Sequence, residues 1–153
     1  MKSILSVVLS LFLAGFFVIA NAYSEGDEAL KCSVFDKVLK EAKDEQGIKL
    51  ISYEQFQEIR NSGEEFILLD VLLKDSYKNG HIEGALNFPV TSINKEAAEK
   101  VLKEDDKVIV YCSSFQCHAS THSAKLLTDI GFTVLDYKGG LKDWSEKGNK
   151  LVK

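Results

Sequence analysis

The chain has 153 residues and a formal net charge of −4 at pH 7, and Arg60 is its only arginine. A surface that binds nucleic acid needs concentrated positive charge, so we exclude nucleic acid as a partner. The length suits one domain with a hydrophobic core, preceded by a segment that does not belong to that domain.

Residues 1–22 have the pattern of an export signal. Met1 and Lys2 give a short basic start, residues 4–19 are almost wholly apolar, and the small residues Ala20 and Ala22 follow. This order is typical of a signal peptide that is cleaved after Ala22. We therefore expect an exported, periplasmic protein without membrane contact after cleavage. An uncleaved membrane anchor is the alternative, because a spanning helix needs about 20 apolar residues.

Residues 23–48 are predicted to form a polar lead-in and an amphipathic helix. From about Asp27 to Lys43, apolar residues recur at helical spacing with lysines on the opposite side. Gly47 follows the end of this helix. Packing against the following domain explains the apolar face more simply than docking of a partner does.

Residues 49–153 alternate between strand and helix patterns. Ser52 and Gln55 have the spacing of a capping box, which begins a helix that ends near Asn61, before Gly63. The strand patterns cover residues 49–51, 66–70, 85–88, 108–111 and 133–137, and the later helices cover 95–103, 119–130 and a short turn around Trp144.

Apolar strands separated by helices predict an α/β fold in which a mostly parallel central sheet has helices on both faces. Folds of this kind bind and react just beyond the carboxyl ends of their strands. Asp70 and Cys112 both lie at such ends.

Cys112 directly follows the strand pattern 108–111, and a helix is predicted to begin at Ala119. Backbone N–H groups of the intervening loop and the positive end of the helix dipole both favour a thiolate over a thiol. We therefore predict that Cys112 has a lowered pKa and acts as a nucleophile. The alternative is a small apolar residue that packs at the end of a strand.

The segment 112–122 fits a nucleophilic cysteine better than it fits a zinc site or a phosphatase-type oxyanion site. Cys112, Cys117, His118 and His122 are suitable zinc ligands, but their spacing is not that of a structural zinc site, so we expect no metal and no cofactor. Cysteine phosphatases need an arginine at the position of His118, because its guanidinium grips the oxyanion with two hydrogen bonds.

Four segments, in this order, resemble the rhodanese family over residues 49 to about 148. They are LLDVLLKDSYKNGHIEGALNFP (68–89), VIVYC (108–112), SAKLLTDIGF (123–132) and YKGGLKDW (137–144). The resemblance implies a single rhodanese-like domain over residues 49–153. It also implies a sulfurtransferase that moves a sulfane sulfur from a donor, thiosulfate or a persulfide, to a thiol-type acceptor.

The resemblance further implies roles for individual residues. Cys112 would hold the sulfur as a persulfide, and the loop residues would bind the persulfide and substrate through their N–H groups. Independently of the resemblance, Asp70 and His81 are predicted to support the site. Asp70 would cap the end of its strand, with orientation of the cysteine loop or of His81 as the alternative. His81 would bridge its turn by a hydrogen bond, with general base catalysis as the alternative. The loop residues are Ser113, Ser114, Phe115, Gln116 and His118.

The chain departs from the common family pattern in three ways. Leu72 and Ser76 replace an arginine and a glutamate, and the cysteine loop is about two residues longer and has no arginine. Without a fixed cation in the loop, a doubly charged donor such as thiosulfate would depend on N–H groups, on Ser113 and Ser114, and on His118.

Three cysteines, Cys32, Cys112 and Cys117, follow the export signal. Cys117 is a candidate resolving thiol, which would form a disulfide with Cys112 or release its bound sulfur by attacking the persulfide. Packing within the loop is the alternative for Cys117. Cys32 would be packed on the amphipathic helix or be the odd thiol that pairs between chains.

A second function remains open. The Cys112 and Cys117 pair could cycle between dithiol and disulfide in a non-catalytic redox-sensing or sulfur-carrier module. In either case the partners would be small-molecule or protein sulfur donors, thiol acceptors, and a thiol reductant in the periplasm.

Overall fold

The computed structural model describes residues 33–153. The export signal, Cys32 and the start of the predicted amphipathic helix lie outside these residues. The strands are β1 Lys43–Glu45, β2 Ile48–Ile51, β3 Ile67–Asp70, β4 Leu86–Asn87, β5 Lys107–Tyr111 and β6 Thr133–Tyr137. The helices are α1 Val34–Glu41, α2 Tyr53–Ser62, α3 Lys74–Asn79, α4 Lys95–Val101, α5 Ala119–Asp129 and α6 Gly140–Glu146, and Val90–Ser92 forms a 3₁₀ turn.

One six-stranded sheet has the order β1-β2-β6-β5-β3-β4. In this spatial order, every neighbouring pair of strands from β2 across to β4 is parallel. The edge strand β1 is antiparallel to β2. The predicted α/β fold with a mostly parallel sheet is confirmed. Strands β5 and β6 occupy the centre, so the carboxyl end of β5 opens at the middle of one sheet edge.

Helices cover both faces of the sheet. Phe35 of α1, Phe56 of α2 and Trp144 of α6 pack on one face, together with the β5 residues Ile109 and Tyr111. On the other face, Ala98 of α4 and Leu127 of α5 pack against Val108, Val110 and Cys112. Because side chains alternate along a strand, Cys112 points toward α5 rather than toward α6.

The N-terminal helix is shorter than the predicted span from Asp27 to Lys43. It begins at Val34, because the Ser33 hydroxyl accepts a hydrogen bond from the Asp36 N–H at 3.2 Å, and it ends at Glu41. The following residues form β1, which reaches β2 through a turn at Gln46 and Gly47. Both turn residues have positive φ, 54° and 81°, as a two-residue hairpin turn requires.

Other element boundaries follow local signals in the sequence. The capping box of Ser52 and Gln55 is present, and Gly63 ends α2 in the left-handed conformation at φ 78°. Helix α4 ends two residues earlier than predicted because Leu102 is extended. Within residues 33–153, no helix has the length and apolar character needed to cross a membrane.

Glu64 ties α1 to the sheet. Its carboxylate accepts hydrogen bonds from the Ser33 hydroxyl at 2.7 Å, from the Val34 N–H and from Lys107 Nζ at 3.1 Å. Partial burial acts to raise the pKa of Glu64, but these hydrogen bonds outweigh it and lower the pKa to about 2. The carboxylate therefore stabilises the fold above its unfolded pKa, and this stabilisation is lost as the pH falls toward 2.

We expect Glu64→Gln to lower the free energy of unfolding by about 2 kcal/mol at neutral pH, because charge-assisted hydrogen bonds are lost. The difference from the wild type should shrink by about pH 3, because the unfolded chain binds a proton at this carboxyl there while the folded chain still resists protonation. Urea unfolding at both pH values measures this. Glu58→Gln is the control, since the Glu58 pair with Lys37 is exposed and should contribute little. An equal loss at both pH values would contradict the role given to Glu64.

Candidate active site

The residues that follow β5 form a loop over residues 112–118 at the carboxyl edge of the sheet, and α5 begins directly after it. Cys112 is fully buried beneath this loop, whereas Cys117 is partly exposed. Phe115, at the middle of the loop, leaves 57% of its surface exposed. The structure therefore brings the two loop cysteines together at the predicted edge, with one thiol covered and one open to solvent.

The first turn of α6 fixes the start of the loop. The Leu141 N–H donates to the Cys112 carbonyl and the Lys142 N–H donates to the Ser113 carbonyl, both at 2.9 Å. Gly140 has a φ of +59°, and a Cβ there would collide with the Cys112 carbonyl group. The glycine pair of the YKGG segment thus allows α6 to approach the loop backbone closely.

The end of the loop is fixed separately. The Cys117 N–H donates to the Ser114 carbonyl at 2.9 Å, which closes a turn over residues 114–117. Lys138, just past β6, donates a hydrogen bond from Nζ to the Cys117 carbonyl. The ammonium group of Lys138 therefore lies against a loop that contains no cation of its own.

Oxygen atoms surround the Cys112 sulfur. The thiol donates toward Ser120 Oγ at 3.4 Å, and the carbonyl oxygens of Cys117 and Ser114 lie at 3.5 and 3.9 Å from Sγ. Burial raises the pKa of Cys112, and its hydrogen bond to the Cys117 sulfur raises it further, while Ser120 acts in the opposite direction. The prediction of a lowered pKa for Cys112 is wrong in this structure, because burial of the thiol and its interaction with Cys117 outweigh the hydrogen bonds of Ser120.

The N–H groups instead act on Cys117. Partial burial acts to raise the pKa of Cys117, but hydrogen bonds from the Cys112 thiol and from the N–H groups of Ala119 and Ser113 outweigh it. The pKa of Cys117 consequently lies below that of an ordinary thiol. Of the two sulfurs, Cys112 holds the proton more strongly and Cys117 is the better thiolate.

Three polar residues beside the thiols were missed by the sequence analysis. Ser120, fully buried on α5, contacts the Cys112 sulfur, and Thr121 donates to buried Asp136 at 2.8 Å. Burial raises the pKa of Asp136, while Ser120, Thr121 and the charge of Lys138 act to lower it. The sequence did contain a signal for this cluster. Asp136 and Lys138 lie at the carboxyl end of β6, which is the edge of the sheet where the site was predicted.

Asp70 and His81 lie apart from the thiols. Asp70 Oδ1 accepts a hydrogen bond from the Leu72 N–H at 2.9 Å, as expected of a cap at the end of a strand. Burial raises the pKa of Asp70, and the groups that oppose this are the Leu72 N–H, Tyr111 and His81. Since Tyr111 packs on the sheet face opposite Cys112, Asp70 does not orient the cysteine loop.

His81 has the structural contacts predicted for its turn. Its Nδ1 lies 3.1 Å from the Tyr77 carbonyl oxygen, and the two rings stack with centroids 3.8 Å apart. Its backbone pairs with Val152 in both directions at 2.9 Å. These contacts join α3 to the C-terminal segment.

His118 is exposed at the N-terminal end of α5, and its side chain makes no capping hydrogen bond. Binding of substrate or persulfide by Ser114, Phe115, Gln116 and His118 stays a prediction. Within the part of the chain that the structure describes, no three histidine, cysteine or acidic side chains are arranged to hold a metal ion.

This geometry agrees with comparisons to known proteins. The family model described as Rhodanese-like domain matches residues 52–147, which is more than half of the chain. The chain belongs to the rhodanese-like domain family.

Relatives of this rhodanese-like chain include named sulfurtransferases. Thiosulfate sulfurtransferase PspE of Escherichia coli is 32% identical over 75 residues, covering 49% of this chain and 70% of PspE. A putative mitochondrial thiosulfate sulfurtransferase of Schizosaccharomyces pombe is 30% identical over 120 residues, covering 65% of this chain and 82% of that protein. The crystal structure of the Rhodanese_3 like domain of Alr3790 from Anabaena sp. is 29% identical and superposes with a TM-score of 0.53 over 58% of this chain and all of that domain.

We expect Gly140→Ala to disrupt the loop, because the new Cβ would lie 2.8 Å from the Cys112 carbonyl carbon. Overpacking of this kind and the positive φ together should lower the free energy of unfolding by about 2 to 4 kcal/mol. Thermal unfolding measures the loss of stability, and the alkylation rate of Cys112 measures the disruption of the loop.

Gly148→Ala is the matched control for this substitution. Gly148 also has a positive φ, +85°, but no atom lies within 4 Å of the position of its Cβ. The control should lose stability through backbone strain alone and keep the alkylation rate of Cys112. Equal effects of the two substitutions would contradict the close approach of α6 to the loop.

Proposed function

We propose that the protein is a sulfurtransferase that moves a sulfane sulfur from a donor to a thiol acceptor through a persulfide on Cys112. The observation that carries this proposal is the placement of Cys112 under the cysteine loop of a rhodanese-like domain, with the Cys117 carbonyl oxygen 3.5 Å from its sulfur. Two named thiosulfate sulfurtransferases among the relatives support the reaction class.

Cys117 supplies the base that Cys112 needs. A buried thiol with a raised pKa is a weak nucleophile until it loses its proton. The Cys112 thiol lowers the pKa of Cys117, so Cys117 is the more acidic thiol of the two and the first to become a thiolate base. As Cys112 attacks the donor, its proton passes to Cys117, and the new Cys112 persulfide carries the negative charge.

A thiolate of high pKa is the stronger nucleophile once it is formed. This favours Cys112 as the carrier, although Cys117 is ionised first. Cys112 is fully covered in this structure, so the donor reaches it only when residues 113–116 move aside.

The charge beside the loop suits an anionic donor such as thiosulfate or a persulfide. Lys138 places an ammonium group at the Cys117 carbonyl, and Ser113 supplies an exposed hydroxyl at the start of the loop. Lys138 therefore supplies a positive charge for an anionic donor, as an arginine in the loop would, but as a point charge. The export signal leads us to propose a periplasmic site of action, with the acceptor thiol and any reductant in that compartment.

We expect the reduced Cys117→Ser protein, given thiosulfate or glutathione persulfide at alkaline pH, to gain the mass of one sulfur atom on Cys112. The hydroxyl cannot attack the persulfide, and alkaline pH replaces the missing thiolate base. Intact mass spectrometry with peptide mapping measures this. Cys112→Ser should gain no sulfur on the loop, and a gain on Cys117 in that variant would contradict Cys112 as the carrier.

A redox-sensing or sulfur-carrier module is the second candidate, favoured by the interaction between the two thiols. The mass measurement separates the sulfurtransferase from the redox-sensing form of this module, whereas a sulfur carrier is distinguished by the absence of turnover with an acceptor thiol. A module that only cycles between dithiol and disulfide gains no sulfur from either donor in any of the variants.

A further inference from the structure

Cys117 lies beside the persulfide that the proposed function forms on Cys112. The turn over residues 114–117 brings the Cys117 backbone to the Cys112 sulfur, and each thiol shifts the pKa of the other. The Cys117 carbonyl oxygen lies 3.5 Å from the Cys112 sulfur. The nearest thiol to the persulfide therefore belongs to the protein itself.

The environment of Cys117 prepares it for attack on sulfur. The Ala119 and Ser113 N–H groups favour its thiolate, and Ala119 opens α5, an eleven-residue helix. Cys117 is also partly exposed, whereas Cys112 is buried. Cys112, in contrast, is fully buried beside the carbonyl oxygens of Ser114 and Cys117, and burial disfavours its anion.

We infer that Cys117 attacks the inner sulfur of the Cys112 persulfide, closes a Cys112–Cys117 disulfide and releases the sulfane sulfur as hydrosulfide. This inference rests on the proposed function, because it begins from the Cys112 persulfide. It makes the protein a source of hydrosulfide when no external acceptor thiol is bound. An external dithiol or thiol reductant then returns the disulfide to the two thiols.

The step is balanced with thiosulfate as the donor. In the first half, Cys112 forms a bond to the sulfane sulfur, sulfite leaves, and the Cys112 proton passes to the Cys117 thiolate. In the second half, the Cys117 sulfur bonds to Cys112 Sγ, the Cys112–sulfane bond breaks, and the proton of Cys117 leaves with the sulfur as hydrosulfide. The sulfane sulfur is reduced and the two cysteines are oxidised, so no other oxidant is needed.

The test is a single turnover of the reduced full chain with excess thiosulfate, in the absence of oxygen and of other thiols. The wild type should release sulfite and about one hydrosulfide ion per chain, and lose the mass of two hydrogen atoms as the disulfide forms. Cys117→Ser, loaded at alkaline pH, should release sulfite, keep the mass of the added sulfur and release at least about tenfold less hydrosulfide. Cys32→Ser is the matched control for loss of a cysteine and should behave as the wild type does.

Two failures can be told apart. If Cys117→Ser gains no sulfur from thiosulfate or from glutathione persulfide, the proposed function fails and the inference fails with it. If Cys117→Ser gains sulfur, and the wild type gains the same mass without hydrosulfide or disulfide, the sulfurtransferase remains and the inference is overturned. Loss of hydrosulfide release in Cys32→Ser would also overturn it, because the disulfide would then involve a different cysteine.

Discussion

The interaction between the Cys112 and Cys117 thiols is the constraint on which the proposed chemistry depends. The Cys112 thiol, buried at the end of the central strand β5, donates to the sulfur of Cys117. Because one proton serves both sulfurs, ionising one favours the protonated state of the other. Cys112 keeps the proton in a site lined by oxygen atoms, and Cys117 receives the N–H groups at the start of α5. In the proposed function, Cys112 is the nucleophile and Cys117 is the base that takes its proton.

The fold holds this pair from three directions. The parallel sheet places Cys112 at the middle of its carboxyl edge, where α/β folds bind and react. The start of α6 holds the backbone at Cys112 and Ser113, and it can approach because Gly140 has no side chain. Lys138 holds the Cys117 carbonyl from the neighbouring strand β6. A rhodanese-like loop without arginine thus obtains both its rigidity and its cation from segments outside the loop.

Much of this architecture could be predicted from the sequence, because its signals are local. The central strands are apolar and buried on both sides, and the capping box at Ser52 and the glycine at position 63 define α2. Strand β1 escaped prediction because its three residues are exposed and charged, and only pairing with β2 makes them a strand. Helix α3 escaped because it buries no side chain and so has no apolar periodicity.

The active site was harder to predict for a different reason. Position along the chain indicated Cys112, but the direction of each loop peptide group depends on the turn over residues 114–117 and on contacts with α6. These contacts bury Cys112 and direct the N–H groups of Ser113 and Ala119 to Cys117, so the pKa is raised at Cys112, contrary to the prediction, and lowered at Cys117. Asp136 and Lys138 reach the site only because β6 pairs with β5.

The most direct test of the shared proton is a titration of thiolate ultraviolet absorbance in the Cys32→Ser background. We predict that the protein with both loop cysteines ionises one thiol below the ordinary thiol range. This early step should persist in Cys112→Ser, whose hydroxyl can still donate to Cys117, and vanish in Cys117→Ser. An early step that persists without Cys117 and vanishes without Cys112 would contradict the account, because the thiolate would then belong to the buried sulfur.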